Sequence, residues 1–452
     1  MAKIEQVTVI SKEIVKPSSP TVNHQKPYYF PLFNQLTPST YAPVIFFYPN
    51  AVEITTTDNI VKTLTHLKKS LSESLNLYYP FSGRIVDNFY IHSFDEGVPF
   101  LVTKVKGIRR LADFLKNPEI ESLNLFLPYK PFTELDMSLP LTAYQVNVFP
   151  CGGIVIGMVG SHKLIDGPTS SAFINSWAAL SRGNHSDIIK PELTQPSLFF
   201  PPKNPFPEEH LSLMESLWFT EANYITRRFV FDHEKISLLK SMAKRGEPQV
   251  KITRIEALSC FIWKCCMAAS RAVSGSPRPS ILVEAVNLRT RTNPPMSNAS
   301  IGDLFWWANA VADPSDMNKE LHELAKMVSD AIGAYDSDHM KNLQGTEGFE
   351  TMSDYCDQLQ GLFEMEKPDI FAFTSWCYFG FNKVDFGWGE PYWFGVLGKV
   401  GPAFRNLTVF VETRDGKGIE AWITLDDERM ALLECDSEFL AFASPNPRIS
   451  NL

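Results

Sequence analysis

The chain has 452 residues, 44% of them hydrophobic, 21% charged and 12% aromatic, a composition that excludes disorder, collagen-like repeats and coiled coil. At roughly 100–200 residues per domain, this length predicts two or three domains with room for a large core. Lys plus Arg number 42 against 51 for Asp plus Glu, a net charge of −9, so no nucleic-acid partner is expected and any anionic small molecule must be gathered by a local basic patch.

The first residues, MAKIEQVTVISKEIVKPSSPT, contain no continuous apolar stretch after the lysine. Runs such as VIFF at 44–47 and IVIGMV at 154–159 are too short to cross a bilayer, so the expectation is a cytoplasmic protein without a membrane partner. Asp58 is placed to cap a helix whose apolar stripe is Ile60, Leu64, Leu67, Leu71 and Leu75, and the turn-rich YYPFSGR at 78–84 follows it. A strand is predicted at 153–159, then the loop SHKLIDG, then a helix that opens at Pro168, since proline suits the first helical position. Six prolines crowd residues 188–209 and mark a linker, dividing the chain into 1–187, a crossover at 188–215, and 216–452. Thr253 and Glu256 have capping-box spacing ahead of ALSCFIWKCC, in a helix that stops at Ser274 and Gly275. A second amphipathic helix reads Met317, Leu321, Leu324, Val328, Ile332. LTVFVET and GIEAWITL flank residues 414–417 as a β-hairpin. The sum is an α/β chain in two halves of similar size.

Several chemistries lack their starting residues. There is no G-x-S-x-G elbow, no phosphate-binding P-loop, no G-x-G-x-x-G and no H-E-x-x-H, and no cluster with metal-ligand spacing, so no metal is expected. The seven cysteines form no C-x-x-C pair and sit mostly among apolar neighbours, as reduced buried thiols do. His185, His210, His233, His322 and His339 lie in polar stretches and are expected at the surface. His162 differs, because it stands where a strand runs out into a loop, with Asp166 and Gly167 following. A base on such a loop can reach a cavity while the carboxylate locks the turn.

The pair of motifs H-x-x-x-D-G at 162–167 and DFGWG at 385–389 resembles the plant BAHD family of acyl-CoA-dependent acyltransferases, in particular the branch that acylates alkaloid and terpenoid alcohols. LYYPFSGRI at 77–85, QVNVFPCGGIVIGMVGSH at 145–162, TRIEALSCFIWK at 253–264, NLRTR at 287–291, TSWC at 374–377 and GIEAW at 418–422 are similar to family blocks in family order. The resemblance implies a chloramphenicol acetyltransferase-like fold of two domains with mixed sheets, flanking helices and an active-site tunnel between them. It implies a monomer with no tightly bound cofactor, taking acetyl-CoA or malonyl-CoA as cosubstrate and a small-molecule alcohol as acceptor.

By the same resemblance His162 is the general base, and no covalent acyl-enzyme forms. Imidazole suits that role because its ordinary pKa of about 6.5 leaves it largely neutral yet basic near pH 7. Asp166 is structural and pairs with Arg289 of NLRTR. Asp385, Phe386, Gly387, Trp388 and Gly389 support the architecture. Trp376, with Thr374 beside it, corresponds to the donor that meets the thioester oxygen. Lys240, Lys244, Arg245, Lys251 and Thr253 are candidates for holding coenzyme A, against the alternative of a solvated basic face and a simple helix cap. Tyr378 stands where relatives that use acidic acceptors carry arginine, so an aromatic contact to a bulky apolar acceptor is expected there. Arg405 is a candidate partner for the free carboxylate of a malonyl donor. The N-terminal block LFNQ at 32–35 and the pair Gly302 and Asp303, in place of Gly-Asn, depart from the family pattern and are expected not to touch His162. N-acylation remains open within the class, and a catalytically silent binding paralogue remains open outside it.

Overall fold

The protein is described from a computed structural model that covers residues 4–19, 27–49, 51, 57–131, 139–220, 222–245, 251–398, 400 and 406–449. Among the described residues, thirteen strands build two large sheets: β1 (Gln6–Val15), β2 (Tyr41–Tyr48), β3 (Val98–Lys106), β4 (Thr142–Val148), β5 (Ile154–Ser161), β6 (Tyr224–Phe231), β7 (Ser280–Asn287), β8 (Phe305–Ala312), β9 (Asp369–Ser375), β10 (Trp393–Gly395), β11 (Leu407–Glu412), β12 (Ile419–Asp426) and β13 (Ser444–Pro445). The first sheet has the order β1-β3-β4-β5-β2-β10 and the second β8-β7-β9-β11-β12-β6-β13. Both are mixed: β3 runs parallel to β4, and β9 runs parallel to β7 and β11. The fold is α/β, as expected.

β4 and β5 are buried along their whole length because both faces of their sheet are covered; β5 accordingly reads as an apolar run, while the Gln145 and Asn147 side chains of β4 are buried with hydrogen-bond partners. Two helices that pack on each other, α1 (Thr57–Leu77) and α2 (Gly167–Ser181), supply part of that cover. Leu67, Leu71 and Leu75 of the α1 stripe are buried, whereas Ile60 and Leu64 nearer its start are half-buried. In the second half α5 (Arg254–Ser274) packs between α4 (His233–Ala243) and α6 (Leu321–Gly333), and α3 (Glu208–Trp218) lies against α7 (Gly348–Glu366).

The Thr253 capping box forms in both directions and Gly275 closes α5 in the left-handed conformation. The 414–417 turn joins antiparallel β11 and β12. Two expectations change. Met317 sits in a separate 3₁₀ turn, Pro314–Asn318, because Glu320 and Glu323 cap α6 three residues later. His210 is buried, packed against Phe206 and Phe349, because the proline-rich stretch ends in α3 and that helix turns it inward.

One strand crosses the chain's two halves. β10 follows the DFGWG motif yet pairs with β2 of the first sheet, Trp393 opposite Phe47 and Gly395 opposite Ile45.

Under α5 a lone carboxyl, Glu284 on β7, accepts a hydrogen bond from Ser259 at 2.8 Å. Burial pushes its pKa up from 4.5 to about 8, outweighing the lowering by Ser259. Because the folded state holds this proton more tightly than the unfolded chain, its contribution is present below pH 4.5 and is lost as pH rises through about 8. Glu284→Gln should therefore flatten the decline of Tm across that window, measured by thermal melts in a pH series.

Candidate active site

Asp166 caps α2, its Oδ1 accepting from the Thr169 amide at 2.9 Å. The same carboxylate receives Arg289 through two bonds, Nη1 to Oδ2 at 2.6 Å and Nη2 to Oδ1 at 3.1 Å, and the Leu304 amide at 3.0 Å. Arg289 has no exposed surface and also donates to the carbonyls of Ser300 and Gly302. A buried ion pair of this kind is tolerated because nearly every lone pair and N–H has a partner. Its consequence is positional: residues 300–304 are held from both sides against the loop that carries His162. Gly302 has φ +149°, and a side chain there would crowd Leu304 and the Tyr28 hydroxyl, so glycine is required at this crossing.

His162 follows the last residue of β5, its amide donating to the Thr40 carbonyl at 2.9 Å. A cavity of about 140 Å³ opens beside it, with walls from both halves of the chain: Leu36, Thr37 and Thr40, then Met214 and Trp218, then Phe305, Trp306 and Trp307, then Thr374, Ser375, Trp376 and Phe379. A smaller recess of about 20 Å³, lined by Ala42, Val44, Met158 and Phe381, shares His162, Asp166, Gly167 and Trp376 with the first. Gly167 admits the Phe379 ring, which would lie 2.3 Å from any Cβ added there.

The Nδ1 atom of His162 faces Oδ1 of Asp303 at 3.5 Å. At that distance the two atoms are close without a formed hydrogen bond, and neither has a hydrogen-bond partner among the described residues. Asp303 is 1% exposed; its Oδ2 accepts from Thr37 Oγ1 at 2.6 Å and its amide donates to Asn34 Oδ1 at 3.1 Å. Burial opposes a charge on His162, but the Asp303 carboxylate, with Asp166 behind it, more than offsets this and holds the imidazole above its ordinary 6.5. Burial likewise raises Asp303, against the pull of His162. The expectation that Asp303 does not touch His162 is therefore overturned, whereas the LFNQ block acts on this contact through Asn34, which holds the Asp303 amide. Held by Arg289 and Asn34, the carboxylate is carried across the interface between the halves, a contact that sequence distance hides.

The other candidate residues separate into two groups. Trp376 and Thr374 line the cavity with His162, at the end of β9, and the Trp376 ring packs against Phe381 and Phe394. DFGWG stays off the cavity: Asp385 Oδ1 accepts the amides of Gly387 and Gly389 at 2.8 Å, Ser181 donates to the Phe386 carbonyl, and Phe386 packs edge-on against Trp177. Arg182 donates to the backbone carbonyl of Asp385 rather than to its carboxylate.

Lys240, Lys244, Arg245, Lys251 and Thr253 gather around the end of α4 and the start of α5, and none lines the cavity. Thr253 is occupied as a cap. Tyr378 does not wall the cavity either. It is 76% exposed at φ +66°, a turn just past β9, and its ring and hydroxyl meet Arg254. Arg405 lies outside the described residues. Sequence reasoning missed Thr37, Asn34, Asp303 and the aromatic wall of Trp218, Phe305, Trp306 and Trp307; the altered Gly302 and Asp303 pair and the FWW run were the available signals.

A histidine on a strand end, a buried Asp–Arg tie and a cavity shared by two α/β halves define an acyl-group transferase of the two-lobed type. The chain matches the Transferase family over residues 5–440 and belongs to that family, the BAHD acyl-CoA-dependent acyltransferases, which take acyl-CoA as cosubstrate. It is 36% identical over 449 residues to akuammiline synthase 2 of Alstonia scholaris, covering 98% of each chain. To a limonoid 7-O-acetyltransferase of Citrus sinensis it is 36% identical over 456 residues, covering 97% of this chain and 98% of the relative. The crystal structure of vinorine synthase superposes with a TM-score of 0.81 at 29% identity, over 98% of this chain and all of that one.

Removing one partner of the buried pair leaves the other charged and unmatched. Asp166→Ala should lower stability by about 3–5 kcal/mol, read as a fall in the urea midpoint. Asp166→Asn, which keeps a capping oxygen, should recover part of the loss.

Proposed function

We propose that this acyltransferase moves an acetyl group from acetyl-CoA to a hydroxyl of an alkaloid or terpenoid, with His162 as general base and no covalent intermediate. The observation that carries this is the placement of His162 and Trp376 together on a cavity whose other walls are largely apolar, with five aromatic rings among them. With the Nδ1 proton turned to Asp303, Nε2 is the atom left to accept the proton of the acceptor hydroxyl as its oxygen attacks the thioester carbonyl. The Trp376 indole N–H supplies a donor to the oxygen on which charge builds, and the proton then passes from His162 to the departing CoA sulfur. Positioning and proton removal suffice because the thioester is already activated.

Direct transfer is supported by the state of the nearby thiol: burial pushes Cys377 up to about 11, and it does not line the cavity. Acetyl is favoured over malonyl because, His162 aside, no cationic side chain is found among the described lining residues to receive a free carboxylate. Apolar rings on several sides suit a fused polycyclic acceptor. The relatives' names, a limonoid O-acetyltransferase among them, point to the same substrate class.

The test is free-thiol release from acetyl-CoA against a panel of alkaloid and terpenoid alcohols, with products identified by mass spectrometry. His162→Ala should abolish release while leaving the circular dichroism spectrum unchanged; full turnover in that variant would overturn the base assignment. Trp376→Phe should lower kcat by about 10²–10³ with little change in KM, since the lost donor acts mainly in the transition state.

A further inference from the structure

Asp303 is a carboxylate sealed inside the protein, and a sealed carboxylate needs partners. Thr37 Oγ1 satisfies Oδ2 at 2.6 Å, while Oδ1 has nothing opposite it among the described residues except the His162 ring nitrogen at 3.5 Å. The loop carrying it has little freedom. Arg289 holds the carbonyls of Ser300 and Gly302, Asp166 holds the Leu304 amide, and Asn34 holds the amide of Asp303 itself. Each of these partners fixes backbone, so the side chain between them is aimed at one point.

We propose that Asp303 is the positioning residue for His162: its Oδ1 accepts the Nδ1 proton, fixes the tautomer that leaves Nε2 free toward the cavity, and stabilises the imidazolium formed when the acceptor hydroxyl gives up its proton. The assignment rests on His162 being the base, and it adds a second member that the H-x-x-x-D motif does not contain. Asp166, the motif's own aspartate, is unavailable for this task because both its oxygens are held by Arg289 and the amides of Thr169 and Leu304. The other charged groups nearby are accounted for. Arg289 is bound to Asp166, and the Lys163 ammonium donates to Asn88 Oδ1 at 2.8 Å and the Gln35 carbonyl at 3.1 Å. Glu215 and Asp303 both act electrostatically on Lys163, whose pKa burial lowers to about 7.

The geometry separates Asp303 from a merely structural residue through pH. With the carboxylate in place the imidazole titrates above 6.5, and activity is lost as pH falls through that raised value, where Nε2 becomes protonated. Asp303→Asn keeps the shape and removes the charge. The acidic limb of kcat/KM should then move down by about one pH unit, and kcat at neutral pH should fall by at least about tenfold, with Tm within a few degrees of the parent. Thr37→Val removes the donor to Oδ2 and leaves more charge on Oδ1, so its acidic limb should move the opposite way, by a few tenths of a unit.

An acidic limb that stays in place in Asp303→Asn, with kcat within about twofold of the parent, overturns the proposal. Should that variant fail to fold, an unmoved or lowered limb in Thr37→Val does the same. His162→Ala distinguishes the two levels: loss of activity there, with an unaffected Asp303→Asn, removes the positioning residue but keeps the base. Activity retained in His162→Ala removes both.

Discussion

The buried pair of Asp166 and Arg289 is the constraint on which the site depends. One carboxylate closes the N-terminus of α2, binds a guanidinium with no exposed surface, and takes an amide from the loop at 300–304. Three separate stretches of chain are thus tied at a single point, each by a group that would be costly to bury alone. The tie fixes a strand end on one half against a loop of the other, and a displacement of about 1 Å between reacting groups can cost much of a reaction rate.

Around that tie the chemistry divides between two kinds of wall. The polar side includes His162, Thr37 and Thr40, with Asp303 behind the first two. Most of the rest is rings and aliphatic side chains, with Trp218, Trp306, Trp307 and Phe379 drawn from three segments. An apolar acceptor can therefore be bound by burial of its rings, leaving orientation to the few polar groups at the reacting end. Such walls tolerate changes of shape more readily than changes of charge, a combination suited to a family whose members act on different alcohols.

Much of this was legible in the sequence, and what was not has identifiable causes. α1, α2 and α5 follow from apolar periodicity, a capping box and a proline at the first turn, all local signals. His162, Asp166, Arg289 and Trp376 were reachable through motif resemblance. Asp303 was noticed as a departure but placed away from His162, because its contact is made across 141 positions of chain and no local pattern reports it. Tyr378 was misplaced for the opposite reason: its neighbours fix a strand end, but the left-handed backbone at that residue, which turns it to Arg254, is not written in residue type. His210 looked solvated because it lies in a polar stretch, whereas the helix that begins at Glu208 makes it part of the core.

The short strand β10 gives the molecule an architectural property of its own. Because Trp393–Gly395 completes the outer edge of the first sheet, the two halves are not modules that can be cut apart at the proline-rich crossing. A fragment ending there would leave Ile45, Phe46 and Phe47 with bare hydrogen-bonding groups along an apolar edge, a template for self-association. Recombining lobes from two such enzymes would have to carry this strand along with the sheet it completes, not with the residues that surround it in the sequence.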